Sequence, residues 1–343
     1  MTQPETALDE LREGTLISRL PQAWHMPLAR IVLAWAALIA LTRSEWAEMI
    51  HQWWNIDTYT HILLIPPLII WLTVLRREGL AKLTPAHWFP GIFVVAAALA
   101  VWLAGKALDI NLIAQVGAVG ALQACLLTFL GPRLTAYLLL PIGMMCFLVP
   151  FGDEVIPFLQ SITAEIAIAL TKLSGVEAVY EDIYIHTPVG LFIVAEECSG
   201  VKFLVAMVTL GVLVAFTSFS TWKRRALFMA ACVLVPIIAN GIRAWGTIFI
   251  AQSQGVEFAA GFDHIIYGWV FFAIVMALVL GGAFRFFDRE PDDAGYSAEE
   301  LSQMGWLSAL EARAGNANAA LLAAGALIIA FALAAIYASA PTV

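Results

Sequence analysis

Nine apolar runs, each about the length of a membrane crossing, dominate the chain and restrict what it can fold into. They lie near residues 27–43, 59–75, 89–105, 110–130, 134–150, 200–218, 225–250, 262–284 and 318–338. A helix needs roughly 17–25 apolar residues to cross ~30 Å of hydrocarbon. Charged residues make up only 13 % of the chain and hydrophobic ones 61 %, with a mean hydropathy of +0.85. A soluble domain carries roughly a quarter charged residues. The expected fold class is an all-α polytopic membrane protein with about nine transmembrane helices. The 12 tryptophans suit interfacial belts in contact with membrane lipids. A formal charge of -8, with the basic residues spread over short loops, gives no patch for nucleic acid.

Loop charge orients the spans. With the N-terminus inside, Arg12, Arg19, Arg30, Arg76, Arg77, Lys82, Arg133, Lys223, Arg224, Arg225, Arg285, Arg289 and Arg313 fall on the cytoplasmic side, 13 of the 18 basic residues. Arg43, Lys106, Lys172, Lys202 and Arg243 fall on the other. Short loops are where the positive-inside bias counts. Residues 154–174 are long enough to cross but carry Gln160, Ser161, Thr163, Glu165, Thr171 and Lys172 beside apolar residues at helical spacing. That amphipathy predicts an interfacial helix lying on the membrane surface. Counting it as a span would invert everything after it.

Residues 176–197 break the helical pattern. β-branched and aromatic residues flank Thr187-Pro188-Val189-Gly190, which reads as a small outer-face β-hairpin. Its edge is suited either to strand addition by a peptide or to covering a site as a flap. The resulting layout is a cytoplasmic N-terminal segment (1–26), a helical transmembrane domain (27–284), a cytoplasmic polar linker (285–317) and a last helix with a short outer tail (318–343). The N-terminal segment is polar and acidic, unlike a signal peptide.

On this topology three reactive side chains reach the same outer boundary. Cys198, in Ala195-Glu196-Glu197-Cys198-Ser199-Gly200, precedes a span for which Ser199 is the expected N-cap. Helix N-termini favour the thiolate, the nucleophilic form. The plainer reading is a small hydrophobe at a helix start. Arg243 is the one charge in a long apolar stretch and shares a helix face with Asn240, three residues earlier. Intramembrane arginine usually faces a bundle or a wet cavity; the alternative is snorkelling to the interface. His264 opens the next span, with Gly268 one turn on and Asp263 beside it as a weak orienting partner. It is either a proton carrier or an idle interfacial histidine, and His186 in the hairpin is its rival. Cys125, Cys146 and Cys232 lie within apolar runs and read as packing residues. No CxxC or HExxH spacing suggests a metal, and no cofactor is expected. Nucleophile, proton shuttle and anion stabiliser together are the parts of acyl-transfer chemistry.

At these residues the chain resembles the exosortases, membrane-embedded cysteine transpeptidases of Gram-negative bacteria, and more narrowly the exosortase A group. The resemblance covers most of residues 59–284, through Tyr59-Thr60-His61, Val149-Pro150-Phe151-Gly152, Val194 to Gly200, Ala239 to Ala244, and Asp263-His264 to Trp269. It implies that Cys198 is the nucleophile and that Arg243 and His264 are its partners. Asn240, Ser199, Gly200, Gly268 and Asp263 would support them. The implied activity is cleavage of C-terminal Pro-Glu-Pro sorting signals at the periplasmic face of the bacterial inner membrane. The implied substrates are exported proteins with a C-terminal transmembrane helix and basic tail, linked to exopolysaccharide and biofilm systems. Their acceptor nucleophile is unknown. Glu196-Glu197 and Thr60-His61-Ile62 depart from the family pattern, so His61 is given no catalytic role. The other readings are a membrane protease that only hydrolyses, or a non-enzymatic transporter or exopolysaccharide assembly component in which Cys198 is dispensable.

Overall fold

The computed structural model describes residues 21–257 and 268–338, with side chains to residue 336. Its principal elements are α1 (His25–Leu41), α2 (Arg43–Asn55), α3 (Ile65–Leu75), α4 (Gly91–Ala107), α5 (Asn111–Leu130), α6 (Ile156–Leu173), β1 (Val179–Glu181), β2 (Tyr184–Thr187), β3 (Gly190–Ile193), α7 (Val201–Ser218), α8 (Trp222–Gln254), α9 (Gly268–Phe284) and α10 (Ala317–Ala338). They divide between two compact units, one drawn from residues up to 50, 65–149 and 295 onward, the other from 51–64 and 150–294.

The protein is a helical, multi-pass membrane protein, but the nine crossings expected are not confirmed among the described residues. Among the described residues six helices are long and apolar enough to cross, or up to seven if the bent pair Arg43–Asn55 and Thr60–Leu75 forms one span. Each shortfall has a local cause. The run 134–150 is broken into short helices, Pro132–Tyr137 and Leu139–Met144, and a 3-10 turn, Met145–Leu148. Pro141 offers no N–H to the carbonyl four residues back, and the chain leaves helical geometry at Leu138 (φ -95°, ψ 21°). α4 has 17 residues, about 25 Å of helix. α9 is described only from Gly268, and over its 17 residues is equally short.

The segment expected on the membrane surface is more buried than its amphipathy implied. α6 passes the same length and hydropathy test as the other crossings, and it packs along α8. Gln160, Thr163 and Thr171, which sequence amphipathy assigned to a water-facing side, are all buried. Their polar groups are satisfied internally: Gln160 Nε2 donates to Val194 O at 2.8 Å and Thr171 Oγ1 to Ala167 O at 2.7 Å. A polar stripe on a helix is a hydration signal only when nothing packs against it.

In the first unit α4 and α5 meet through backbone. Gly117 lies against the main chain of Trp102 and Gly105 against that of Ala114, leaving no room for a side chain at either glycine. α10 packs on α1 and α4, and Arg30 Nη2 donates to Asn318 Oδ1 at 3.1 Å.

In the second unit α8 is the central element, packed by α6, α7 and α9. Gly241 admits Ile166 of α6 to the α8 backbone. Phe203 of α7 stacks on Phe272 of α9, ring centroids 4.5 Å apart. The hairpin is extended by one strand, giving an antiparallel sheet of order β1-β2-β3. Asp182 adopts φ 56° and, with Ile183, turns the chain between Glu181 and Tyr184. The stretch before the Thr187–Gly190 turn, expected as one arm of the hairpin, is therefore two strands. Ile185 is fully buried and joins Ala164, Ala167 and Ile168 of α6 and Ile248 of α8 in one apolar cluster. The sheet is thereby fixed to the ends of those two helices.

Candidate active site

Cys198 closes a 3-10 turn, Glu196–Cys198, between the sheet and α7. Its N–H donates to Ala195 O at 2.9 Å. The N-cap of α7 is Gly200 rather than the expected Ser199, because the chain enters the helix through a left-handed residue (φ 83°, ψ 7°). Ser199 stays close by: its buried Oγ accepts from Val201 N–H at 3.3 Å. Two conditions select glycine at 200. Positive φ disfavours any side chain, and a Cβ would stand 2.7 Å from Asn240 Cγ.

Asn240 is buried in α8 and ties three elements together. Its Nδ2 donates to Cys198 O at 2.8 Å and to Thr163 Oγ1 of α6 at 3.1 Å. Thr163 in turn reaches Ser199 O at 3.5 Å. The backbone carbonyl of the cysteine is therefore held by a buried amide on a neighbouring helix. Sequence reasoning placed Asn240 near Arg243 but missed Thr163; the only cue was a threonine in a stripe taken for the wet face of α6.

Arg243 lies one turn beyond Asn240 on α8 and is half-buried. Gly268, the first residue of α9, sits beside it: a Cβ there would lie 3.7 Å from the guanidinium carbon and 3.7 Å from Phe203. Cys198 and Arg243 both line one cleft with about 460 Å³ of free space, part of it open to solvent. Its walls are Phe192, Ile193 and Val194 from the sheet side and Ala244, Thr247 and Ile248 from α8. Those wall residues carried no signal in the sequence beyond their hydropathy.

The structure thus brings together Cys198, Ser199, Gly200, Asn240, Arg243 and Gly268. His264 and Asp263 lie outside the described residues. The rival histidine, His186, is not among the residues lining the cleft. Ile185 lines the cleft, whereas the adjacent His186 is exposed. Glu196 and Glu197 are exposed as well. Among the described residues no group of histidine, cysteine and acidic side chains is arranged to hold a metal.

Residues 53–281, more than half of the 343, match the family described as transmembrane exosortase, of the EpsH type. The chain belongs to the transmembrane exosortase family. No curated protein and no solved structure matches it. The matched range contains every residue that lines the cleft. Membership supports a membrane transpeptidase role on exported proteins. It gives the cleft of this exosortase a chemical context: a thiol and a guanidinium lining one wall-bounded space suit attack on a peptide carbonyl.

The cap at Gly200 offers a direct check on how the thiol is placed. Gly200→Ala should reduce substrate processing by about a hundredfold, since small misplacements of a reacting group have effects of that size. Initial rates in membranes holding equal amounts of enzyme would measure it. An unchanged rate would mean that the left-handed turn does not position the cysteine.

Proposed function

We propose that this exosortase is a cysteine transpeptidase that cleaves the C-terminal Pro-Glu-Pro sorting signals of exported proteins at the periplasmic face of the inner membrane, in connection with exopolysaccharide systems. The observation that carries the reading is the shared cleft of Cys198 and Arg243, with Asn240 holding the cysteine's carbonyl. The thiolate of Cys198 attacks the scissile carbonyl carbon, and the carbonyl oxygen takes the negative charge. The planar fork of Arg243 is suited to that oxyanion. As the C–N bond breaks, the leaving amine takes a proton and a thioester remains on Cys198. His264 is the proposed donor of that proton, and then the base that deprotonates the acceptor. Attack by an acceptor amine on the thioester restores the thiolate and completes transfer; attack by water gives hydrolysis.

One feature supports the outer placement. Arg224 and Arg243 are 19 residues apart on one helix, about 29 Å, so the basic end of α8 and the cleft fall near opposite boundaries of ~30 Å of hydrocarbon.

Co-expression with a tagged protein bearing a Pro-Glu-Pro signal, a transmembrane helix and a basic tail tests the reading. The tagged protein is expected to shift to a smaller form, and an added small amine to appear on its new C-terminus. No shift with several such signals would overturn the substrate class.

A further inference from the structure

We infer that the free edge of β3 is the docking strand for the substrate, and that the sorting motif binds there as a fourth strand running beside the cleft. The inference rests on the substrate class proposed above and adds where and how that substrate is held.

Register fixes which groups the edge presents. Thr187 and Gly190 enclose a two-residue turn, so they must be a hydrogen-bonded pair. Such pairs alternate along an antiparallel ladder, which makes Ile185 and Phe192 the next one. Leu191 and Ile193 therefore turn their N–H and C=O away from β2. Strand order β1-β2-β3 leaves that side without a neighbouring strand among the described residues. The Ile193 carbonyl accepts from Ala195 N–H at 3.0 Å. Leu191 N–H, Leu191 C=O and Ile193 N–H take no hydrogen bond among the described residues. The two side chains are 48 % and 50 % exposed, so the edge is reachable.

Position selects this edge over the opposite one. Phe192, Ile193 and Val194 line the cleft, whereas no residue of β1 does. β3 leads into the Cys198 turn within five residues. A peptide laid along β3 is thus continuous with the space between Cys198 and Arg243.

The chemistry of the motif fits an edge of this kind. In an extended Pro-Glu-Pro segment the two prolines point their missing N–H groups to one side, and the glutamate directs its own N–H and C=O to the other. Paired antiparallel, the glutamate exchanges both bonds with Leu191. Paired parallel, it donates to Leu191 O and accepts from Ile193 N–H. Either sense uses the groups left unpaired on β3. The proline side then closes the sheet against a further strand, since proline is tolerated only at edges.

Proline substitution in the enzyme tests the edge without removing its ladder. Leu191→Pro and Ile193→Pro each delete one outward N–H and no bond to β2, while Leu191→Gly and Ile193→Gly shorten the side chains but keep the N–H. At least one proline variant should lose about tenfold in kcat/KM relative to its glycine counterpart, mostly through KM, the worth of one lost hydrogen bond. Loss at 191 identifies antiparallel pairing and loss at 193 parallel pairing. Equal rates for each proline and glycine pair would overturn the inference. A second arm reads binding rather than turnover: a photo-crosslinking residue at 191 in full-length Cys198→Ala enzyme should capture the signal, and one at Val179 on the far edge should not. Capture at 179 instead, or at neither position, also overturns it. If the wild-type enzyme leaves the signal uncut, the functional reading fails, and the crosslinks still decide the edge.

Discussion

Cys198→Ala enzyme is expected to accumulate in the membrane at wild-type levels and to leave a co-expressed Pro-Glu-Pro substrate uncut, with processing down by at least about a thousandfold. Stability should survive because the bonds that shape the turn use backbone: the Cys198 N–H to Ala195 O, and the Cys198 carbonyl from Asn240. Alanine keeps both. The chemistry should not survive, because no other described cysteine lines the cleft. Cys125 and Cys232 are buried elsewhere, and Cys146 is not among the lining residues. Cys198→Ser should retain a trace of slow cleavage, a hydroxyl being a far weaker nucleophile than a thiolate at neutral pH. Gel mobility of the tagged substrate reports processing, and thermal denaturation in detergent reports the fold. Wild-type processing by a well-folded Cys198→Ala enzyme would end the thiol mechanism and leave the transporter reading standing.

Arg243→Lys is expected to lower kcat by about a hundred- to a thousandfold, the range found when one oxyanion donor is removed. Charge is kept, but the planar fork that meets an oxyanion at two points is lost. Arg243→Gln, which loses the charge as well, should be lower still. The split between kinetic constants separates two roles for the guanidinium. A donor acting on the tetrahedral oxyanion lowers kcat with little change in KM, whereas a group that binds a substrate carboxylate in the ground state raises KM and spares kcat. A pure KM effect would therefore reassign Arg243 from catalysis to recognition. Gly268 beside the guanidinium offers no side chain to rearrange.

The membrane class and the grouping of Cys198, Asn240, Arg243 and Gly268 could be read from the chain because they follow from hydropathy and helical spacing. Both survive local errors in counting spans. What hydropathy misreads is polar residues paired with protein. Gln160, Thr163 and Thr171 are as polar in a buried helix face as on a membrane surface; their partners, Val194, Asn240 and Ala167, decide which it is. The third strand was hidden for a different reason. A turn at Asp182 depends on one residue taking positive φ within an otherwise strand-like run, and aspartate tolerates that conformation without advertising it. The Gly200 cap was nearly legible: Cys-Ser-Gly before an apolar run announces a helix start. Assigning it to serine follows cap preference, whereas the close approach of Asn240 makes glycine the residue that enters the helix.

α8 has 33 residues, about 50 Å of helix, against a hydrocarbon core of ~30 Å. No placement of a helix that long, short of steep tilt, keeps both ends inside lipid. On the proposed topology, which sets its basic start at one boundary, the residues beyond Arg243 would stand clear of the bilayer. Those residues are the ones that carry the sheet, through Ile248 and through Gln252 to Thr187 at 3.3 Å. On the proposed function, the blade would then be mounted at a set height above the lipid and a tethered substrate would be cut by elevation: its anchor would fix the zero, and only the stretch of chain rising to the level of Cys198 would come within reach.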